Sequence, residues 1–350
     1  MRRFGAWDPA RSPYPGVMPA TMRDVAALAG VSIKTVSRVV NAQPHIRPEL
    51  AERVQAAIVQ LGWTPNGSAR TLRTGRTGVI AVGVADLRTP ALATLTQALV
   101  SEIDRRGLQA AVEPLHHDPD RTTALLAARG RLFDGVALIG HVPAEAIQRL
   151  TPRDAVVLVD HEATERVDSV EPDAMEAAAL AVRHVALMGR CRIALLGADR
   201  TPRTQHALTT ALSVAGIAPV AIRDHVTSRR DGATLAAELL IADPMIDALL
   251  CGSDELALGA LAALAARGIA VPDHVSVIGY GNLDDASFST PSLTTIDPGT
   301  ARLARTAIDL LAQRLAGTGG EEARRVLLPV DLIRRESTLG AGTNSATGAA

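Results

Sequence analysis

Apolar positions recur along this 350-residue chain with two different periods, and the change from one to the other divides it. From Thr21 to Gly62 the spacing is that of short amphipathic helices. Val25, Ala26 and Ala29 lead up to Gly30, Ser32 opens a second set at Val36, Val39 and Val40, and a third set runs through Leu50, Val54, Ala57, Ile58 and Leu61. Gly30 supplies the permissive backbone of a tight turn between crossed helices, and Ser32 can accept a hydrogen bond from the unpaired N–H groups of the next helix. Pro48 suits a first helical turn, and Gly62 ends the third helix. The pattern predicts helix, tight turn, helix, then a third helix sharing one small core. With the valines turned inward, Ile33, Lys34, Ser37 and Arg38 face solvent, and the first turn of such a second helix is what meets base edges.

From Thr77 the apolar positions run together instead. GVIAVGVA, LQAAVE, GVALIG and AVVLVD read as buried strands, with helices after Pro90, at 121–129 and at 144–150. A second series follows: SVEPD leading a helix over 174–188, then RIALLGA, a helix before Gly216, APVAI, a helix over 234–241, DALLCGS, a helix to Arg267 and VSVIGY. Continuous apolar strands alternating with helices predict parallel sheet covered on both faces. Two series predict two doubly wound lobes, with ligands at the carboxyl ends of the strands, in the cleft between lobes.

Composition narrows the class. At 47% hydrophobic and 21% charged the chain is globular, with enough apolar residues for a sizeable core. Cys191 and Cys251 each adjoin an apolar run, so both are expected as buried single thiols in a reducing, cytoplasmic protein rather than as a disulfide or metal pair. No metal or cofactor is expected. Residues 1–20 lack the apolar stretch of an export signal, and no run reaches the length of a membrane helix. That segment is aperiodic and rich in proline and is expected to be disordered, with Met18 or Met22 as alternative starts; the polar, glycine-rich 339–350 is expected to be a second disordered end.

Charge is uneven. From Thr21 to Arg76 there are eight arginines and lysines against three carboxylates, a net +5, in a chain whose total is −1. A basic footprint confined to one small module suits a phosphate backbone.

DVAALAGVSIKTVSRVVN followed by LGWTPNGSARTLRTGRT resembles the headpiece and hinge of the LacI/GalR family of bacterial transcriptional regulators, and VSVIGYGNLDDASFSTPSLTTIDPG and PVDLIRRESTLG resemble its late core motifs. The resemblance covers residues 21 to about 340. It implies an all-α helix-turn-helix headpiece joined to an α/β, two-lobed core like that of type I periplasmic binding proteins. The expected division is a DNA-binding domain over 21–64, a hinge helix and linker over 65–76, and an effector-binding and dimerisation core over 77–338. In that core the N-lobe takes about 77–171 and 298–321, the C-lobe about 172–296 and 322–338, with crossings near Glu171, Asp297 and Glu322. The implied function is a repressor of a catabolic or transport operon. It binds a roughly palindromic double-stranded operator as a homodimer and is controlled by a small polar effector, such as a sugar-like molecule. The tail has no leucine heptad for a tetramerising coil.

By match to the family motif, Ile33, Lys34 and Arg38 are the base readers. Lys34 and Arg38 can donate to guanine O6 and N7, whereas Ile33 offers apolar contact to a thymine methyl. Thr21, Ser32, Thr35, Ser37 and Asn41 have donors suited to phosphates, although Ser32 also fits a helix cap. In the hinge, the resemblance makes Leu72 the minor-groove wedge, with Ala69 one turn earlier; a segment this short holds no helix in isolation.

Around the cleft the resemblance offers Asp160, at the end of AVVLVD, and Ser253 with Asp254, after DALLCG. The family's aspartate after GY is Gly281 and then Asn282 here, its pocket arginine falls on Thr204 beside Arg203, and its aromatic pair is Ala91 and Leu92. Asp86, Arg88, Asp160, Arg203, Ser253 and Asn282 remain as polar candidates around an effector smaller or more polar than a stacked sugar or purine. An exported solute-binding protein would share the lobes but has no use for a basic headpiece. A nucleotide-binding enzyme is the other rival, yet GYGNLDD lacks the third glycine and does not open a helix after a first strand. His116 and His117, adjacent to each other, read as surface loop rather than a metal pair.

Overall fold

The computed structural model describes residues 20–40, 46–63, 75–140, 142–161, 164–198 and 201–340. They fall into two compact units divided after Gly75. In the first, α1 (Met22–Ala29), α2 (Ile33–Val40) and α3 (Pro48–Leu61) pack Val25, Ala26, Ala29, Val36, Val54 and Ala57 with Trp63. Gly30 closes α1 at φ +62°, and a side chain there would also meet the Arg53 guanidinium at 2.7 Å. Val39 and Val40, expected inside, are only half-buried, because the two-turn α2 carries Val36 alone fully into the core.

The second unit holds two six-stranded sheets. The N-lobe sheet contains β1 (Val79–Val84), β2 (Gln109–Pro114), β3 (Gly135–Ile139), β4 (Val156–Val159), β5 (Asp168–Pro172) and β11 (Arg325–Leu328). Its order is β11-β5-β4-β3-β1-β2, with every pair parallel. Helices α4 (Pro90–Arg105) and α12 (Thr300–Ala316) cover one face, where Leu95, Leu99 and Leu311 meet Ile80, Val82 and Ile139. The other face packs against α5 (Pro119–Ala127) and α6 (Ala144–Ile147) through Leu125 and Ile147.

The C-lobe sheet is built from β6 (Ile193–Leu196), β7 (Ala221–Arg223), β8 (Ala248–Cys251), β9 (Ser276–Tyr280), β10 (Thr294–Asp297) and β12 (Asp331–Ile333). Its order is β12-β10-β9-β8-β6-β7, parallel except for β12, which runs antiparallel to β10. Helices α7 (Ala174–Leu187) and α8 (Pro202–Val214) lie on one face, α9 (Arg229–Ala242) and α10 (Asp254–Ala266) on the other. The last two touch backbone to backbone: a Cβ at Gly259 would sit 1.9 Å from the Arg229 carbonyl oxygen. The short α11 (Asp284–Phe288) and α13 (Glu336–Leu339) complete the lobe.

Three expectations are corrected. The third crossing lies between Leu328 and Asp331 rather than near Glu322, because Arg325–Leu328 pairs in parallel with β5 and so belongs to the N-lobe. What holds it there is Asp168 on β5, which accepts from the Arg324 backbone N–H at 2.8 Å and from the Arg314 and Arg324 guanidinium groups at 2.6 and 2.7 Å. Leu339, assigned to the disordered tail, ends α13, and the Gly340 N–H donates to the Glu336 carbonyl at 2.9 Å. Cys191 is exposed, since it follows α7 in a turn before β6 begins, whereas Cys251 is buried. The expectations for residues 1–19, the hinge with Ala69 and Leu72, Asn41 and the rest of the tail fall outside the described residues. Among those described, no helix is long and apolar enough to cross a membrane, and no three His, Cys, Asp or Glu side chains cluster as metal ligands.

Candidate nucleic-acid interface and ligand cleft

Sequence sets the pose of α2 from both sides. At the start of α1, Thr21 and Asp24 form a reciprocal cap: Asp24 Oδ2 accepts from the Thr21 N–H and hydroxyl at 2.7 Å each, and these bonds lower the Asp24 pKa. Ser32 caps α2, its Oγ accepting from Thr35 N–H at 3.1 Å and lying 2.9 Å from Thr35 Oγ1. Three of the five phosphate candidates are therefore engaged in caps, Thr21 at the start of α1 and Ser32 with Thr35 at the start of α2. Arg53, counted in the basic footprint, has a structural partner instead. Its Nη2 donates to the Ala29 carbonyl at 2.5 Å, which ties α3 to the end of α1, so this cation holds the helix pair together.

On the outer side of α2, Ile33 is 45% exposed, and Lys34 and Arg38 are exposed. Lys34 and Arg38 stand four residues apart, hence on one stripe, and Ile33 and Ser37 form the neighbouring one. An apolar group beside two cations on an exposed helix face fits a groove lined by guanine acceptors and thymine methyls. Val36, on the opposite side, is fully buried and fixes which face looks out.

The ligand cleft takes its candidates from the carboxyl ends of the strands. Asp86 follows β1 and is clasped by Arg88 at 2.7 Å, which holds its pKa down at about 2; Arg88 itself is 90% exposed. Asp160 follows β4 in a left-handed conformation, φ +52°, with its N–H on the Val170 carbonyl at 2.9 Å. Arg203, in the first turn of α8, reaches across the lobes to Glu171 on β5 at 2.8 Å; Glu171 is 8% exposed and also accepts from Arg325 Nε at 2.6 Å.

Ser253 serves as N-cap of α10, accepting from Leu256 N–H at 3.3 Å. Its neighbour Asp254 is wholly buried and takes bonds from Thr295 Oγ1 at 2.6 Å and Leu283 N–H at 2.8 Å. Burial raises the Asp254 pKa against those bonds. Asp254 thus fixes the loop after β9 that carries Asn282 at φ +48°. The Asn282 amide is engaged at both ends: Nδ2 donates to Asp297 Oδ2 at 3.1 Å, and Oδ1 accepts from Arg335 Nη2 at 2.8 Å. Asp297 is the last residue before the second crossing, so Asn282 braces the crossing. Glu171, Asp297 and Arg335 were not picked out from the sequence as side chains of the site. The signal available was only that Glu171 and Asp297 end strands at crossings, which does not reveal the partners.

Residues 21–66 match the model of bacterial regulatory proteins of the lacI family, and residues 179–338 match a periplasmic binding protein-like domain. The HTH-type transcriptional repressor PurR of Mannheimia succiniciproducens is 30% identical over 90% of this chain and 98% of its own length. The lactose operon repressor of Escherichia coli K12 is 28% identical over 94% and 93%. Among solved structures, the lac repressor dimer bound to operator and an anti-inducer matches with a TM-score of 0.76 at 27% identity, over 92% of this chain and 99% of that one.

Proposed function

Because the chain belongs to the LacI family of bacterial regulatory proteins, a family of DNA-binding repressors under allosteric control, we propose that it represses a catabolic or transport operon from a roughly palindromic operator. The observation that carries this reading is the pose of α2, with Val36 buried and Ile33, Lys34 and Arg38 outward. A homodimer brings two such helices to two half-sites. Ser37 and Asn41 join the three cap residues at the phosphates, and the hinge places Leu72, with Ala69, in the minor groove. Operator binding puts the protein in the cytoplasm, on the nucleoid. The relatives are repressors rather than enzymes, which favours regulation over catalysis.

Lys34 is the chain's single lysine, which gives a direct test. With operator fragments selected from the genome bound to the full-length protein, an amine-acylating reagent should modify Lys34 several-fold more slowly than in the DNA-free protein, as read by peptide mass. Acylation at the same rate with and without operator would remove Lys34 from the interface.

The effector reading rests on Asp160, with Arg203 and Glu171 joining the two lobes beside it in the fold. A metabolite screen by thermal unfolding should find a compound that raises the melting temperature of the wild type and raises that of Asp160→Ala less, since stabilisation follows mass action. An equal shift in the variant excludes Asp160 from contact.

A further inference from the structure

The C-lobe contains a cavity of about 40 Å³ beneath the first turns of α7, partly open toward the carboxyl ends of its strands. Its roof is Ala174, Ala177 and Ala178, at helical spacing on the inward face, while Met175 points outward at 40% exposure. Thr204, Gly252 and Tyr280 stand where α8, β8 and β9 meet the cleft, and the remaining lining is almost wholly aliphatic. Packed interiors leave few voids above the size of a water molecule, and a void that stays empty weakens the fold. Water is a poor occupant, because it needs two to four polar partners and the lining offers chiefly methyl groups. A hydroxylated sugar ring is poor for the same reason: its buried hydroxyls would lack partners.

We propose that this cavity takes the apolar end of the effector, so that the effector is a small amphiphile with a short alkyl group or ring edge under α7 and an oxygen-bearing head in the cleft. The head is met at the mouth by Arg203, adjacent to Thr204. Its Nη1 already pairs with Glu171 Oε1 at 2.8 Å, so the cation stands fixed at the mouth by an ion pair across the lobes. Aromatic stacking plays little part in a chain with 2% aromatic residues. The alanines decide the chemistry, because any larger side chain at 177 or 178 would fill the space. This inference rests on the reading of the cleft as the effector site.

The test uses the full-length protein with two homologous probe series, straight-chain carboxylates from acetate to hexanoate and primary alcohols from ethanol to hexanol. In at least one series the melting temperature, corrected against Ala178→Leu, should rise with each added carbon and stop rising once the tail exceeds the cavity. Ala178→Leu fills the roof and should show no such chain-length dependence. Should that variant fail to melt cooperatively, Ala174→Val at the edge of the same roof replaces it. Flat series in the wild type, or the same dependence in the filled variant, would overturn the proposal. A metabolite that releases operator equally from wild type and filled variant would overturn the cavity while sparing the cleft. If no metabolite releases operator at all, the effector reading fails and takes the cavity's occupant with it.

Discussion

Asp168→Ala should destabilise the effector-binding unit by about 3 to 5 kcal/mol, the cost expected for removing one partner of a buried ion pair. Side chains of Asp168 and Arg314 are 0% and 2% exposed, so the arginine left behind is stranded away from water. Arg314 donates Nε and Nη2 to the two carboxylate oxygens at 2.9 and 2.6 Å, and further bonds run to the carbonyls of Gly320 and Glu322. Arg324 adds its own guanidinium at 2.7 Å. Asp168 therefore ties the end of α12, the following turn and the edge strand β11 to the sheet. Urea unfolding should show the midpoint falling with an unchanged slope; a loss below about 1 kcal/mol would mean that the arginines find other acceptors.

The same cluster predicts a pH response. Burial works to raise the Asp168 pKa, but the bonds from Arg314 and Arg324 outweigh it, and the net shift is downward. A carboxylate whose folded pKa lies below its unfolded value, near 3.9, contributes its full stability above that value and loses it as the pH falls through the folded pKa. Wild type should therefore lose stability below about pH 4, and Asp168→Asn should show a flatter profile there.

The elements of this fold were legible where burial imposes a period. VVLV and IALL read as interior strands from their length and branched residues, and Val25, Ala26 and Ala29 as the inner face of a short helix. What remained hidden depends on partners far apart in sequence. Strand β11 is four residues with alternating exposure at a sheet edge, and nothing in RVLL says which lobe it joins until Asp168 is seen to hold the Arg324 N–H, 156 residues away. Helix α9 begins at Arg229 rather than at 234 because Ser228 and Asp231 form a reciprocal cap, a local signal outweighed by the two arginines between them. In the site, the outward face of α2 followed from spacing alone. The cross-lobe pair Arg203–Glu171 did not, since Arg203 reads only as a polar candidate and Glu171 only as a crossing, and nothing in the sequence places Asp297 and Arg335 at the two ends of the Asn282 amide.

At the operator, Arg38→Ala should cost about 1 to 3 kcal/mol, roughly 5- to 150-fold in affinity, and should relax the preference at one base pair in each half-site. Arg38 shares an exposed stripe with Lys34, and the buried Val36 keeps that stripe outward when the arginine is shortened. The loss thus reflects a missing base contact rather than a shifted helix. An equal loss on random DNA would reduce Arg38 to a phosphate neighbour, since contacts to the backbone carry no sequence information. Leu72→Ala provides the contrast. If the hinge leucine wedges between bases, its removal lowers operator affinity and straightens the duplex while the base preference at every position persists. Reading Arg38 through specificity and Leu72 through bending separates the two parts of the interface. Should Leu72→Ala leave both bending and affinity unchanged, the effector would have to act on the operator complex by a route that does not fold the hinge.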